Sequence, residues 1–158
     1  MSFDSLCFLL HLATVLLMTG LIWVIQWVHY PLFAYAEKTN FVRFEQAHTA
    51  RITLIVLPLM VLELFSAFAL VWRPPLFMTL FEVYGTACLT VGTWAATFFL
   101  SVPEHQKLAQ GFDLHAHRRL VKTNGVRTVC WTANAFLLLV IVHRILFEFS
   151  LNIHLTNS

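Results

Sequence analysis

Charged residues are scarce in this chain of 158 residues. They make up 11% of it, whereas a soluble domain normally carries about a quarter. The formal net charge is only +2, and no basic run is interleaved with aromatic residues as a nucleic-acid-binding surface requires. With 59% hydrophobic residues, the composition excludes an ordinary soluble domain and predicts that the chain has no nucleic-acid partner.

Several chemical motifs are also missing. The three cysteines, Cys7, Cys88 and Cys130, are isolated within apolar stretches, so we interpret them as packing residues and not as metal ligands. No nucleophile–base pair and no phosphate-binding glycine loop is present, which argues against hydrolases and nucleotide-dependent enzymes. Because no basic segment precedes the first apolar run and no small-residue cleavage site follows it, we expect that run to be retained as a span.

Long hydrophobic runs are what the chain has in abundance. About 20 apolar residues are needed to cross a bilayer. The chain has four such spans, at residues 6–28, 52–72, 77–100 and 126–149. Arg73-Pro74-Pro75 makes a sharp break between the second and the third, because proline cannot continue a helix there. We therefore predict an all-α integral membrane protein, a four-helix bundle that forms a single domain over residues 1–158.

The basic residues favour one orientation in the membrane. Eight Lys and Arg residues lie in or beside the two long connections, against two on the opposite side. By the positive-inside rule, both connections should be cytoplasmic and both termini non-cytoplasmic. Asn40 and Asp113 could cap helices that run from these connections into spans two and four. Gly111 could end a helix, and Pro103 could bend the end of span three. The helices should therefore extend beyond the membrane on the cytoplasmic side.

A polar stripe runs along span three at steps of three and four residues. It comprises Glu82, Thr86, Thr90, Thr93, Thr97, Ser101 and Glu104 or His105. The threonines could bond their own backbone and pack against neighbouring helices, or the stripe could form an interior polar track. Glu63 in span two is open to the same alternatives, as a protonated acid bonded to another helix or as a functional group.

Four histidines occupy the cytoplasmic ends of the four helices. They are His29, His48, His105 and His117, and Glu45 forms an E-x-x-H pair with His48. Imidazoles and carboxylates converging from separate helices build metal sites in bundles, so we predict an iron or copper site from these five residues, with haem as an alternative cofactor. The competing interpretation is that imidazoles are simply well tolerated at a membrane interface. His11, His143 and His154 are expected to have no role.

Further polar residues are predicted to handle substrate or cofactor. Asn124 and Arg127 should orient an anionic or carbonyl group of a lipophilic substrate, and Glu104 is a third candidate catalytic residue. Trp131 and Gln26 are candidates for cofactor binding.

Two segments and one tryptophan form a recognisable pattern: Ser101-Val102-Pro103-Glu104-His105-Gln106-Lys107-Leu108, Asn124-Gly125-Val126-Arg127-Thr128 and Trp131. This pattern resembles that of an anthrone-oxygenase-like family of small four-span membrane proteins. The first half of the chain agrees more loosely with the family pattern, at Tyr30-Pro31-Leu32, Phe41-Val42-Arg43-Phe44 and Pro58. The resemblance implies oxygenation of a polycyclic phenolic ketone by molecular oxygen. The family commonly carries another polar residue where His105 stands, so this chain would represent a metal-binding branch.

Three hypotheses follow. The first is a metal-dependent membrane oxidoreductase of the oxygenase type that acts on a small lipophilic substrate. The second is an electron-transfer module that binds haem or a quinone. The third is a carrier or structural protein without catalytic activity. The bilayer is the partner common to all three, and assembly as a homo-oligomer is left open.

Overall fold

Every regular element of the described chain, residues 2–156 of this computed structural model, is helical. The long helices are α1 (Phe3–Val24), α2 (Phe41–Trp72), α3 (Leu80–Ala96) and α5 (Leu114–Thr156), while α3 continues through one π-helical turn into α4 (Val102–Leu108). Four helical units are long and apolar enough to cross a membrane. The prediction of an all-α four-helix bundle is confirmed.

The surface of the bundle suits a lipid environment. Large apolar side chains such as Phe81, Phe136 and Leu54 are 81%, 71% and 77% exposed. Exposed apolar surface on this scale is stabilised by lipid and not by water. The chain is therefore an integral membrane protein.

The helices close into a ring around a shared interior. α1 packs against α2 and α5, and α3 packs against the same two helices from the other side. One buried apolar cluster, around Met18, Phe33 and Trp131, fills the half of the bundle that contains the long connections. A second, around Val15, Leu70 and Leu138, fills the opposite half.

Helix ends follow the sequence in most places. The Asp113 side chain accepts a hydrogen bond of 2.7 Å from the Ala116 backbone and so caps α5, as predicted. Gly111 has a φ of 148°, which ends α4 in a conformation that residues with a Cβ rarely adopt. The predicted cap at Asn40 is wrong in its chemistry: this residue precedes α2, but its amide donates to the Glu37 carboxylate instead.

The third span begins later than the sequence suggested. A capping box between Thr79 and Glu82 starts α3 at Leu80, three residues after the expected start at 77. At the other end, α2 and α5 begin at Phe41 and Leu114, well before the apolar spans that start at 52 and 126. The predicted extension of the helices on one side is therefore present.

Two π-helical turns interrupt the bundle on that same side. One covers Ile25–His29 and continues α1 into short turns that end at Tyr35, and the other covers Thr97–Ser101 between α3 and α4. A π-turn accommodates an extra residue and so rotates the side chains that follow it around the helix axis. Tyr30 follows the first of these turns and His105 follows the second, so the two turns affect the direction of both side chains.

Candidate functional site

A cavity of about 410 Å³ lies between α2 and the α3–α4 unit. Its walls are mostly apolar and include Ile52, Val56 and Met60 of α2. Its polar groups come from all four spans, because Tyr30, Thr49, His105 and Arg127 also line it. A mostly apolar cavity with a few polar groups is the usual form of a binding site for a small molecule.

A hydrogen-bonded relay ends at this cavity. The Glu45 Oε1 atom lies 2.6 Å from Nδ1 of His105, and Nε2 of His105 lies 2.9 Å from the Tyr30 hydroxyl. Since a carboxylate only accepts, Nδ1 of His105 carries the proton and Nε2 is free to accept the proton of Tyr30. Glu45 is fully buried and Tyr30 is 3% exposed. The arrangement can therefore move a proton at the Tyr30 oxygen.

Two further imidazoles lie beside the relay. His29 Nε2 and His48 Nδ1 are 2.8 Å apart, and the rings of His48 and His105 have centroids separated by 5.7 Å. Glu45 and His48 share one face of α2, as the E-x-x-H spacing predicts. The structure thus brings together four of the five residues proposed as metal ligands: His29, His48, His105 and Glu45.

These four side chains pair with one another and do not converge on one point. His29 bonds His48, and both nitrogens of His105 are engaged by Glu45 and Tyr30. Within residues 2–156, no group of three or more His, Cys, Asp or Glu side chains is arranged to hold a metal ion. The arrangement seen does not fit a three-ligand metal centre, and iron, copper or haem remains a prediction from the sequence alone.

His117 and Glu104 lie elsewhere. His117 donates from Nε2 to the backbone oxygen of Tyr30 over 2.8 Å and faces a second cavity. Glu104 is buried, and its Oε1 atom lies 3.0 Å from Lys107 Nζ and 3.4 Å from Arg119 Nε. Neither residue lines the first cavity. The two are therefore separate from the cluster around His105.

Gln26, Asn124 and Arg127 form a chain that reaches the first cavity. The Asn124 amide donates to Gln26 Oε1 over 2.8 Å, and Arg127 donates to Asn124 Oδ1 over 3.2 Å. The Arg127 guanidinium also lies over the Trp131 ring, 5.1 Å from its centroid. Arg127 faces the interior of the bundle, since the residue is only 4% exposed.

Trp131 connects this chain to Glu63. Its indole nitrogen donates to Glu63 Oε2 over 2.8 Å, while the Thr90 hydroxyl donates to Oε1 over 3.1 Å. Both carboxyl oxygens are thus hydrogen-bonded to neighbouring helices, which is the structural alternative stated for Glu63. Trp131 does not line the first cavity.

The polar stripe of span three faces the bundle interior, and His11 joins it. His11 is fully buried, with one ring nitrogen 3.0 Å from the Ser66 hydroxyl and the other 2.7 Å from that of Thr86. The expectation that His11 has no role is wrong for the structure, because the residue bonds helices α1, α2 and α3 together. Its steps of three and four from buried positions on α1 were a signal available in the sequence.

Three buried polar atoms on residues that line the first cavity have no hydrogen-bond partner within residues 2–156. They are Nε of Arg127, Nε1 of Trp94 and the hydroxyl oxygen of Ser101, and all three residues line the cavity. A buried donor without a partner costs about 1–3 kcal/mol, so such atoms indicate where a ligand bonds. Trp94 and Tyr30 were not proposed as site residues from the sequence, because an aromatic residue in an apolar span is indistinguishable from core or interfacial packing.

Comparison with known proteins adds no family or relative. The chain matches no protein-family model, no curated protein and no solved structure. The resemblance to anthrone-oxygenase-like proteins therefore stays a prediction carried by the short motifs alone.

Proposed function

We propose that this protein is a membrane oxidoreductase that binds a small lipophilic compound with carbonyl or phenolic oxygens in the first cavity. The observation that carries the proposal is the combination of apolar walls with three unpartnered buried polar groups, on Arg127, Trp94 and Ser101. Apolar walls favour an aromatic or alkyl body, while the indole N–H and guanidinium N–H donate to oxygens. A ligand with oxygen acceptors would satisfy all three groups.

The cavity is placed for access from the bilayer. Leu57 of α2 and Phe98 of the π-turn both line the cavity, and they are 48% and 56% exposed on the outer surface of the bundle. A residue that is both lining and lipid-facing marks the boundary between cavity and membrane. A lipophilic substrate dissolved in the bilayer would therefore enter between these two side chains without crossing water.

The relay would supply the acid–base step. With Glu45 fixing the proton on Nδ1, His105 draws the Tyr30 proton, and Tyr30 in turn can take a proton from a phenol or an acidic C–H of the ligand. The enolate so formed is electron-rich and reacts with molecular oxygen, the oxidant implied by the resemblance. The overall change is R₂CH₂ + O₂ → R₂C=O + H₂O, with the nearby Arg127 stabilising the enolate charge.

A quinone-binding electron-transfer module is the second candidate. The unpartnered donors of Trp94 and Ser101 lie seven residues apart, one on α3 and one in the π-turn that continues it, and so at two levels of the cavity roughly 10 Å apart along the helix axis. A ligand with oxygens at both ends of a ring would use both levels. The oxygenase and the quinone-binding module would use the same ligand site, and the two candidate functions differ in whether the ligand is consumed.

Binding tests the shared part of the proposal. Purified protein in dodecyl maltoside is titrated by calorimetry with menadione, with anthrone and with naphthalene, which has no oxygen. We expect menadione or anthrone to bind and Trp94→Phe/Ser101→Ala to weaken binding about tenfold, since each hydrogen bond contributes about 0.5–1.5 kcal/mol. Trp27→Phe, which changes an exposed tryptophan outside the cavity, serves as the control.

Turnover then separates the two candidates. Oxygen consumption with anthrone, measured by electrode, should fall in Tyr30→Phe at unchanged affinity. Consumption equal in Tyr30→Phe and wild type would exclude the relay. Naphthalene binding as tightly as menadione would exclude the polar ligand site altogether.

A further inference from the structure

A second cavity of about 450 Å³ opens beside the first turns of α5. It lies between that helix and the chain that follows the first π-turn, from Pro31 to Tyr35. His117, Arg118 and Lys122 line it from α5. Neither of the proposed functions uses this cavity, and it shares no lining residue with the first one.

Positive charge on one side of α5 is uncompensated here. Arg118 and Lys122 are four residues apart, so both point to the same side of the helix. Within residues 2–156, neither forms an ion pair, whereas the adjacent Arg119 pairs with Glu104. Among the residues that the structure describes, no carboxylate lines the cavity. Two cations without a counter-ion beside a cavity favour an anionic ligand.

A buried imidazole adds a directional group to this charge. His117 is 6% exposed, and its Nε2 atom bonds the Tyr30 carbonyl oxygen, which can only accept. Nε2 therefore holds a proton, and Nδ1 is left buried without a partner in the described part of the chain. In this tautomer Nδ1 accepts a hydrogen bond, so a hydroxyl group of a ligand in the cavity, such as that of a glycerol headgroup or of a protonated phosphate, would donate to it. This unsatisfied atom distinguishes the cavity from a surface patch of basic residues.

We propose that the second cavity binds an anionic phosphate group, of a phospholipid headgroup or of a soluble phosphate ester. Phosphate oxygens accept several charge-assisted hydrogen bonds at once, which matches an arginine and a lysine that line one space. Basic pockets between membrane helices at the membrane surface are typical sites for anionic headgroups. The exposed Tyr35 side chain, 85% accessible, lies at the rim where such a headgroup would enter.

The experiment measures retention of lipid by the full chain. Native mass spectrometry in dodecyl maltoside is carried out with added dioleoylphosphatidylglycerol, with dioleoylphosphatidylcholine, and with inorganic phosphate. We expect one phosphatidylglycerol to be retained and Arg118→Gln/Lys122→Gln to weaken its binding about 30-fold, equivalent to about 1 kcal/mol for each charge. Both side chains are exposed, so the variant should fold, and circular dichroism checks that it does.

The controls fix the meaning of each result. Arg51→Gln removes one exposed charge from the same side of the bundle but away from the cavity, and it should bind the lipid like wild type. If inorganic phosphate saturates the site and displaces the lipid, the site binds a soluble phosphate. If the lipid stays bound in the presence of inorganic phosphate, the site binds the headgroup. Equal binding of the two lipids without phosphate binding, or unchanged binding in the double variant, would overturn the proposal.

Discussion

Replacing Arg127 with lysine should weaken ligand binding in the first cavity far more than it weakens the fold. Arginine presents a planar set of N–H donors, and here one donor bonds Asn124 while Nε has no partner among residues 2–156, on a residue that lines the cavity. Lysine keeps the positive charge but has no equivalent of the Nε–H group. The variant therefore separates the geometry of the donor from its charge.

The magnitude follows from the bonds that are lost. A hydrogen bond to a charged group contributes about 1.5–3 kcal/mol, which corresponds to roughly 10–150-fold in the dissociation constant. The contact of the guanidinium with the Trp131 ring contributes about 0.5–2 kcal/mol, and lysine, which also makes such contacts, retains part of it. We therefore expect a loss of affinity of at least tenfold with a loss of stability of about 1 kcal/mol.

Calorimetric titration with menadione and thermal unfolding measure the two effects on the same preparations. Arg119→Lys is the matched control, because Arg119 is an exposed arginine of α5 that does not line the first cavity. If Arg127→Lys binds menadione normally but unfolds at a markedly lower temperature, Arg127 is a structural connection between α5 and its neighbours, and the assigned ligand contact is wrong.

Three further predictions concern the core, the metal and the topology. Glu63→Leu should destabilise the bundle by about 1–3 kcal/mol, because it removes two interhelical hydrogen bonds, and Glu63→Gln should destabilise it less. If a detergent titration unfolds both variants equally, this prediction is wrong. Elemental analysis and an optical spectrum test the metal and haem predictions. Stoichiometric iron or copper that is lost in His48→Ala would mean that the clustered histidines rearrange to bind metal. A metal content that this substitution leaves unchanged would show that these histidines are not the ligands. Reporter fusions at Ser158 and near Gln110 should report opposite sides of the membrane, and a cytoplasmic signal at Ser158 would reverse the proposed orientation.

The clustering of His29, His48 and His105 could be anticipated because each lies at the same end of a different helix. In a bundle of antiparallel spans, the ends that share a side of the membrane are neighbours, so sequence position fixes this proximity. The same reasoning did not identify which atoms meet. His29 bonds His48, whereas His105 bonds Glu45 and Tyr30. Tyr30 and His105 follow the two π-turns, which rotate the side chains that come after them.

The cavities could not be predicted in the same way. A helical stripe shows which side chains face inward, but a space between helices depends on how closely the backbones approach. Ser101, which lines the first cavity, is the last residue of the second π-turn, and a periodicity of 3.6 does not reveal that turn.

The sequence by itself determined the membrane location, the four spans and the inward orientation of polar residues such as Arg127 and Thr90. These follow from transfer free energies that depend only on residue type and helical position. Only the tertiary structure decided that Glu45, His105 and Tyr30 form a relay, while His117 faces another cavity. Hydrogen bonds require atoms to meet within about 3 Å, and the packing of separate helices, not the sequence of any one, sets distances on that scale.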